Sequence, residues 1–291
     1  MVLLDMVATN AGGFRDRHFA GAGWTGDFAV AHYDHGIRGE ESHADADFVR
    51  AKCRQYGVRL ITAQGNLPPD TGEDKARRAR YSFLGRVAKK ESENGGEEAY
   101  IATAHHQDDL LETIVMNLIR GTGWRGLAPM NQPRVLRPLL DIAKTELVGY
   151  AIEHGLTWRE DQTNDSPRYL RNRLRALLAS WSPTDKVALI RLYERQKHLR
   201  RQIEQELEYY CARHVTRDKQ GRLVLRRYDL IMLPVDVAIE ILRRLTKGWL
   251  TRPQLGQLLL FIKVGKPSKQ LSWKRLNVRL DVRRVYFYPE M

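Results

Sequence analysis

Short apolar runs alternate with amphipathic segments along the first half of the chain. Apolar runs of four or five residues predict strands, whereas apolar positions three and four residues apart predict helices. Strands are predicted at 28–31, 58–61 and 100–104. One helix is predicted to begin at Ser42, two more are predicted at 73–90 and 145–154, and a fourth is predicted directly after residue 104. A polar run at 91–98 is predicted to form a surface loop. Strands that alternate with helices are typical of an α/β fold, here a doubly wound and mostly parallel sheet.

The second half of the chain has a different pattern. A long, basic and helical stretch begins near Pro167, and the chain after residue 221 mixes strand-like and helical segments. We therefore predict a large α/β domain at 1–180, a helical connector at 181–220 and a small C-terminal α/β domain at 221–291. Within the last domain, the predicted elements are a strand at 223–225, helices near 235–245 and 253–262, and an alternating segment at 276–288.

Ionisable side chains follow two of the predicted strands. The cluster after 100–104 comprises His105, His106, Asp108, Asp109 and Glu112, and the cluster after 28–31 comprises His32 and Asp34. In a helix His105, Asp109 and Glu112 would stand at i, i+4 and i+7 and share one face. Because the carboxyl ends of parallel strands meet at one edge of a sheet, we expect both clusters to line a single crevice. Carboxylates there are suited to hold Mg²⁺ with substrate phosphates, or to bind a substrate ammonium group.

Two other interpretations of these clusters stay open. The polar residues fit turns and helix caps, which need Asp and similar side chains at strand and helix ends. The histidines also fit a zinc or iron site, since His-x-Asp-His and His-His are suitable ligand sets.

A Gly-x-Gly-x-x-Gly sequence occurs at 121–126. A dinucleotide-binding fingerprint must follow a strand and open a helix, whereas this one follows a predicted helix. We therefore interpret it as a flexible loop near the site.

The chain has 48 Lys and Arg against 35 acidic residues, a formal charge of +13. This excess favours a polyanionic partner, most simply nucleic acid. Arg168, Arg171 and Arg175 fall at helical spacing and would form a basic face suited to phosphates. The alternative is an ordinary solvated helix surface.

Only Cys53 and Cys211 are present, and they are far apart. This argues against a disulfide framework, a cysteine zinc site and an iron–sulfur cluster. The start of the chain lacks the basic region of a signal peptide, and no apolar run is long enough to span a bilayer. We expect a cytoplasmic protein without a membrane partner.

Several motifs occur in an order that resembles the tRNA(Ile)-lysidine synthetases, a branch of the N-type PP-loop ATPases with an adenine nucleotide alpha hydrolase-like fold. The resemblance is specific over about residues 1–180 and weak over the C-terminal unit. The segments are His-Tyr-Asp-His-Gly-Ile-Arg at 32–38, Ala-Arg-Arg-Ala-Arg-Tyr at 76–81, Ala-Thr-Ala-His-His-Gln-Asp-Asp at 102–109, Glu-Thr at 112–113, Arg-Pro-Leu-Leu at 137–140 and Tyr-Leu-Arg-Asn-Arg at 169–173.

The resemblance implies an ATP-dependent ligase that modifies the wobble cytidine of an isoleucine tRNA with a CAU anticodon. ATP would adenylylate the 2-carbonyl oxygen of the base, and the ε-amine of free lysine would then displace AMP. It implies ATP and Mg²⁺ as cofactors, a tRNA-binding role for the C-terminal domain, and leaves room for a homodimer. The implied catalytic residues are Asp34, Asp109, Glu112 and Arg171, with Asp34 also on the metal. The implied substrate-binding residues are His32, His105, His106, Arg77, Arg80 and Arg173.

The chain also departs from that family. The Ser-Gly-Gly-x-Asp-Ser loop that cradles ATP phosphates is absent, so the residues that would bind the nucleotide are unknown, and Leu110 stands where a glutamine is common. We expect the start to lie just after that loop, either because it is assigned too late or because the chain is truncated. The competing functions are then a non-catalytic tRNA-binding relic and a metal-dependent phosphoesterase. A related family that thiolates tRNA through a cysteine-bound cluster is disfavoured by the two isolated cysteines.

Overall fold

The computed structural model describes residues 1–22, 26–36, 40–65, 67–68, 71–159 and 170–289. It divides the chain into two compact units, Met1–Glu194 and Arg195–Met291. The division falls inside one long helix, at a position within the predicted connector. Over the described ranges, no helix combines the length and apolarity needed to cross a membrane.

Helices and parallel strands alternate in the first unit, as the apolar pattern predicts. The helices are α1 (Val2–Thr9), α2 (Phe14–Phe19), α3 (Glu40–Gln55), α4 (Glu73–Gly95), α5 (Gln107–Ile119), α6 (Lys144–Glu153) and α7 (Leu170–Ala179). The strands are β1 (Ala29–Asp34), β2 (Arg59–Gln64), β3 (Ile101–Ala102) and β4 (Val135–Leu136). Short 3₁₀ turns occur at Ala11–Gly13, Ala20–Ala22 and Trp124–Leu127.

The parallel strands form two hydrogen-bonded pairs. β1 pairs with β2 from Ala29 opposite Arg59 to Asp34 opposite Gln64, and β3 pairs with β4. Helix α4 contacts both β1 and β3, so one helix packs against both pairs. The α/β class with parallel strands joined by helices is confirmed.

Helix α5 is buried against α7, and this packing positions the candidate site. Leu110, Leu111 and Ile114 of α5 are each 1% exposed, and they cluster with Leu174 and Leu178 of α7. The buried leucines of α7 are four residues apart and lie on one helix face. Burial of these leucines therefore turns the neighbouring Arg171 and Arg175 of α7 toward α5.

A buried carboxylate ties α1 to two later segments. Both oxygens of Asp5 accept hydrogen bonds, one from the Tyr56 hydroxyl at 2.6 Å and one from the Tyr150 hydroxyl at 2.7 Å. Burial and the nearby carboxylate raise the pKa of Tyr56 to about 12 and also raise the pKa of Tyr150. Asp5 thus supplies hydrogen-bond partners to the hydroxyls of two half-buried tyrosines.

The second unit is a small α/β domain, as predicted, but with an antiparallel sheet. The helix α8 (Pro183–His214) leads into it, followed by β5 (Val215–Arg217), β6 (Leu223–Arg226), α9 (Arg227–Ile231), α10 (Val235–Leu245), α11 (Arg252–Val264), β7 (Gln270–Trp273), β8 (Leu276–Leu280) and β9 (Arg284–Pro289). The strand order is β5-β6-β9-β8-β7. Apolar side chains of the helices and the sheet form one core, with Ile241, Leu258 and Val278 at 0% exposure.

Several predicted boundaries were wrong. Strand β3 spans only Ile101–Ala102 of the predicted 100–104, and β2 continues beyond the predicted 58–61 to Gln64. Helix α3 begins at Glu40, so Ser42 lies inside the helix and is buried rather than capping it. Helix α4 continues to Gly95 through most of the predicted loop, because Glu91 pairs with Arg59 of β2 and Gly96 ends the helix at a φ of 70°. Strand β1 continues through Asp34, because its parallel partner β2 continues to Gln64.

Candidate functional site

His105 lies between strand β3 and helix α5. The helix begins at Gln107, so the prediction that His105 shares a helical face with Asp109 and Glu112 was wrong. The Nδ1 atom of His105 lies 2.8 Å from Oγ1 of Thr103, and this contact fixes the imidazole ring. Burial lowers the pKa of His105 to about 4, so the ring is neutral at pH 7.

Arginines surround His105. The positive charges of Arg137, Arg77 and Arg80 lower the pKa of the imidazole further, and the negative charge of Asp109 opposes them. Arg77 and Arg80 both lie on α4, three residues apart, and both contact the face of Tyr81. Two of the predicted substrate-binding arginines therefore lie near His105, in a positive environment suited to phosphates.

Part of the polar cluster caps helices. The backbone N–H of His106 donates to Oδ2 of Asp109 at 3.1 Å, which closes the first turn of α5. The N–H of Lys144, the first residue of α6, donates to Oδ2 of Asp108 at 2.8 Å. Helix capping therefore explains the position of Asp108. It explains only one of the contacts of Asp109.

Glu112 is the most deeply buried acid of this cluster. It is 1% exposed, and its two oxygens accept hydrogen bonds from Nε of Arg171 at 2.9 Å and from Nε of Arg175 at 2.8 Å. Both arginines lie on α7, one helical turn apart, so one carboxylate holds the two side chains together. Such charge-assisted hydrogen bonds compensate the cost of burying the carboxylate.

Asp109 completes the arrangement on the more open side. Nη2 of Arg171 lies 3.9 Å from Oδ1 of Asp109, and Nε2 of His106 lies 3.4 Å from Oδ2. The Asp109 side chain is 18% exposed, compared with 2% for that of Glu112. Asp109 can therefore meet a ligand, whereas Glu112 is positioned to orient Arg171. The catalytic roles expected for these three residues stay predictions.

Arg173 lies apart from these contacts. It is two residues from Arg171, so its side chain projects from the other side of α7, where it is exposed. This position suits a contact with a nucleic-acid backbone better than one with Asp109. Arg168 and the rest of 160–169 lie outside the described residues, as do Arg38 and its neighbours at 37–39.

His32 and Asp34 form the second cluster, within β1 itself. Asp34 is 9% exposed, and its Oδ1 accepts the N–H of Gly36 at 2.8 Å. Burial lowers the pKa of His32, although the charges of Asp34 and Asp45 raise it. The structure brings His32 and Asp34 together; among the described residues, no hydrogen bond or ion pair joins Asp34 to the α5 cluster. The single shared crevice stays a prediction.

The chemistry of Asp34 can be tested against the implied Mg²⁺. Within the described part of the chain, no three His, Cys, Asp or Glu side chains are grouped as a metal site. Mg²⁺ bound with a nucleotide needs only one or two carboxylates, because phosphates and water supply its other ligands. The carboxylate of Asp34, whose Oδ1 accepts the Gly36 N–H, is one ligand of that kind.

The Gly-x-Gly-x-x-Gly segment is tied to α5. Nδ2 of Asn117 donates to the carbonyl of Gly126 at 2.9 Å, and a Cβ at Gly126 would meet Oγ1 of Thr122 at 1.8 Å. The glycine therefore permits the close approach of its backbone to Thr122 within this turn. The segment follows α5, as predicted, and its role near a ligand stays a prediction.

Sequence reasoning missed two features of the site. It did not pair Arg175 with Glu112, 63 residues earlier, and it did not assign Arg137 to the surroundings of His105. The only sequence signal for Arg137 was its place in the Arg-Pro-Leu-Leu motif. Ion pairs between distant segments leave no periodic signal in a sequence.

A known domain family and several curated proteins are similar to this chain. The model of the PP-loop domain matches residues 5–180. A tRNA(Ile)-lysidine synthase of Thermotoga sp. strain RQ2 is 35% identical over 241 residues, which are 79% of this chain and 54% of that protein. A tRNA(Ile)-lysidine synthase of Solibacter usitatus is 30% identical over 270 residues, 89% of this chain and 60% of that protein.

The chain thus spans about half the length of the curated relatives it matches. Among solved structures, the U34-tRNA thiolase NcsA of Methanococcus maripaludis with its [4Fe-4S] cluster aligns with a TM-score of 0.48 and 21% identity. That alignment covers 59% of this chain and 62% of the thiolase.

Proposed function

The chain belongs to the PP-loop domain family, and on this premise we propose that it ligates free lysine to the wobble cytidine of an isoleucine tRNA with a CAU anticodon. ATP is the second substrate, and Mg²⁺ accompanies it. Support comes from the curated relatives, which are named tRNA(Ile)-lysidine synthases. The spatial arrangement of the charged side chains at the site also supports it.

The proposed reaction has two steps. The 2-carbonyl oxygen of the cytidine attacks the α-phosphorus of ATP, and pyrophosphate leaves. The ε-amine of lysine then attacks C2 of the activated base, the C–O bond to AMP breaks, and the amine loses a proton to water or a nearby base. The protein must therefore hold a polyanion, a cation and an RNA base in one place.

One observation carries the proposal: a buried Glu112 orients Arg171 beside the more accessible Asp109. In this proposal Arg171 stabilises negative charge that develops on the phosphate, and Asp109 binds the lysine ammonium. Glu112 acts through Arg171 and is a positioning residue, because both its oxygens are already engaged.

Neutral His105 and the arginines near it would bind the phosphates of ATP. The imidazole can hydrogen-bond without adding charge, while Arg77 and Arg80 supply positive charge from α4. His106 lies against Asp109 and would orient that carboxylate. Asp34 would contribute one oxygen to Mg²⁺, which offsets phosphate charge when bound, and His32 would line the same end of β1.

The test is lysine- and tRNA-dependent release of AMP from ATP, followed by mass spectrometry of the tRNA. We expect Asp109→Asn to raise KM for lysine by at least tenfold with unchanged tRNA affinity. Asp108→Asn is the matched control: it lies one residue away, but its carboxylate caps α6 and should leave KM for lysine nearly unchanged.

Other results would redirect the proposal. Phosphate release that needs neither lysine nor tRNA would favour a metal-dependent phosphoesterase. Tight tRNA binding without any AMP release would favour the non-catalytic tRNA-binding relic. If Asp108→Asn and Asp109→Asn changed KM for lysine equally, Asp109 would not be the ammonium site.

A further inference from the structure

A contact between two side chains joins the end of strand β3 to His105. Oγ1 of Thr103 lies 2.8 Å from Nδ1 of His105, which is within the range of a direct hydrogen bond. Either group can be the donor, because a hydroxyl both donates and accepts and a neutral imidazole carries its proton on one of two nitrogens. The direction of this hydrogen bond decides what the other ring nitrogen can do.

The backbone holds Thr103 in place. Its N–H donates to the carbonyl oxygen of Leu136 at 3.0 Å, which extends the β3–β4 pairing by one residue beyond Ala102. Threonine is branched at Cβ, so few rotamers of its side chain are accessible. The hydroxyl therefore reaches Nδ1 from a fixed position. Because Nδ1 faces Thr103, Nε2 is the ring nitrogen that is left for a ligand.

The surroundings of the ring keep it neutral. Burial lowers the pKa of His105 to about 4, and three guanidinium groups lower it further against the opposing charge of Asp109. These groups belong to Arg137, Arg77 and Arg80. At pH 7 the ring therefore has one N–H rather than two. With a single N–H, the ring can donate at Nε2 only if Nδ1 is an acceptor, and the Thr103 hydroxyl is then the donor.

The ligand expected at this ring accepts hydrogen bonds. The proposed function brings the phosphates of ATP to His105, and ionised phosphate oxygens are acceptors. An unprotonated Nε2 would direct its lone pair at a phosphate oxygen, which is repulsive. A protonated Nε2 would instead donate a hydrogen bond to that oxygen. Only the tautomer with the proton on Nε2 therefore agrees with a phosphate at this position.

The opposite direction of the hydrogen bond has a different chemical meaning. If Nδ1 donated to Thr103, Nε2 would have a lone pair and could accept a hydrogen bond from a guanidinium group or a proton from a substrate. A pKa of about 4 makes His105 a weak base at pH 7, which disfavours removal of a substrate proton.

We propose that Thr103 is a positioning residue of this site: its hydroxyl donates to Nδ1 of His105 and thereby keeps the proton on Nε2, where it can bind a phosphate. The contact between the two side chains is observed in the structure, whereas the phosphate as ligand rests on the proposed function. Thr103 does not touch the substrate in this proposal. It acts through the imidazole, as Glu112 acts through Arg171.

The test uses variants of the full chain. Thr103→Val keeps the shape of the side chain but removes the hydroxyl, and Thr103→Ser keeps the hydroxyl. Thr9→Val is the matched control, because the Thr9 hydroxyl donates to the carbonyl oxygen of Asp5 within α1 rather than to a histidine. Nitrogen-15 NMR of protein with labelled histidine shows which ring nitrogen carries the proton at pH 7. His105→Gln identifies the signals of His105 among those of the nine histidines.

We expect His105 of the unmodified protein to have a protonated Nε2 and an unprotonated Nδ1, and Thr103→Val to show both tautomers. A donor to Nδ1 stabilises the neutral ring, so its removal should raise the pKa of His105. If Thr103 instead accepted from Nδ1, it would favour the protonated ring, and its removal would lower that pKa. The sign of the change therefore distinguishes the two directions. Thr9→Val should leave the pKa unchanged.

Kinetics separate positioning from a merely structural role. In the AMP-release assay, Thr103→Val should lower kcat by about tenfold, less than the loss of a whole donor, because the ring remains but is misdirected. KM for lysine should stay within about twofold, because Asp109 is unchanged. Thr103→Ser should keep kcat within about threefold of the unmodified protein, because the hydroxyl is retained.

An unprotonated Nε2 in the unmodified protein, or a lower pKa of His105 in Thr103→Val, would overturn the proposal. Equal kcat values for Thr103→Val and the unmodified protein would also overturn it. Failure of the ligase proposal is separable. Absence of lysine-dependent AMP release would refute that reaction, whereas the tautomer and the pKa are measured without lysine, tRNA or ATP.

Discussion

Replacing Glu112 by Gln tests the central contact of the site. The change keeps the shape of the side chain but removes the charge that two guanidinium groups share. Removal of one member of a buried ion pair costs about 3–5 kcal/mol. The side chains of Arg171 and Arg175 are 19% and 37% exposed, so water solvates them in part once the carboxylate is gone. We therefore expect a loss of about 2–3 kcal/mol in the free energy of unfolding.

The assay is thermal unfolding of the full chain followed by circular dichroism. A loss of this size should lower Tm of the first unit by about 6–9 °C, at roughly 3 °C for each kcal/mol in a domain of this size. Glu91→Gln is the control, because Glu91 pairs with Arg59 at the surface, where an ion pair contributes about 1 kcal/mol or less. That variant should unfold within about 3 °C of the unmodified protein.

A double-mutant comparison separates the pair from the fold in general. Once Glu112→Gln is present, Arg175→Gln should cost less than it does alone, since its partner is already lost. Two results would refute the reasoning: a Tm for Glu112→Gln equal to that of Glu91→Gln, or additive effects of the two site substitutions. A raised KM for lysine in a fully stable Glu112→Gln protein would instead make Glu112 a direct ligand.

Three further predictions concern stability. The pKa of His105 is about 4 in the folded protein, below its value in the unfolded chain, so the unfolded state binds the proton first as pH falls. Lowering the pH from 7 to 4 should therefore destabilise the folded protein by about 2–3 kcal/mol through this one group. Urea unfolding at the two pH values should show that His105→Gln removes this part of the loss. Asp5→Ala should cost about 3 kcal/mol in urea unfolding because it strands the hydroxyls of Tyr56 and Tyr150, and a cost below that of Tyr150→Phe would contradict this. Arg284→Gln should leave Tm unchanged or raise it slightly, since it removes the repulsion from Arg226 directly opposite on β6, and a clear decrease would argue that the arginine is structural.

Local patterns determined much of the fold. Helix α10 spans Val235–Leu245, where the apolar spacing predicts a helix, and Gly155, with a φ of 59°, directly follows the helix predicted at 145–154. The alternation of strands and helices also predicts the parallel pairs of the first unit. These features depend on residues close in sequence, so one chain is enough to predict them.

The ends of helices and strands were harder to predict from the sequence, for a physical reason. Whether α4 ends at residue 90 or at Gly95 depends on Glu91 finding Arg59 on a neighbouring strand. Whether β1 stops at residue 31 or at Asp34 depends on the length of its partner. Hydrogen bonds and ion pairs between elements decide such cases, and they override local propensity.

The chemistry of the site divides in the same way. The sequence alone predicted that histidines and acids would gather near the start of α5, because those residue types follow an apolar strand-like run. Only the tertiary structure decided that Glu112 would be buried under Arg171 and Arg175, which lie 59 and 63 residues away. That contact exists because leucines on α5 and α7 pack together, and the two guanidinium groups then compensate the burial of the carboxylate.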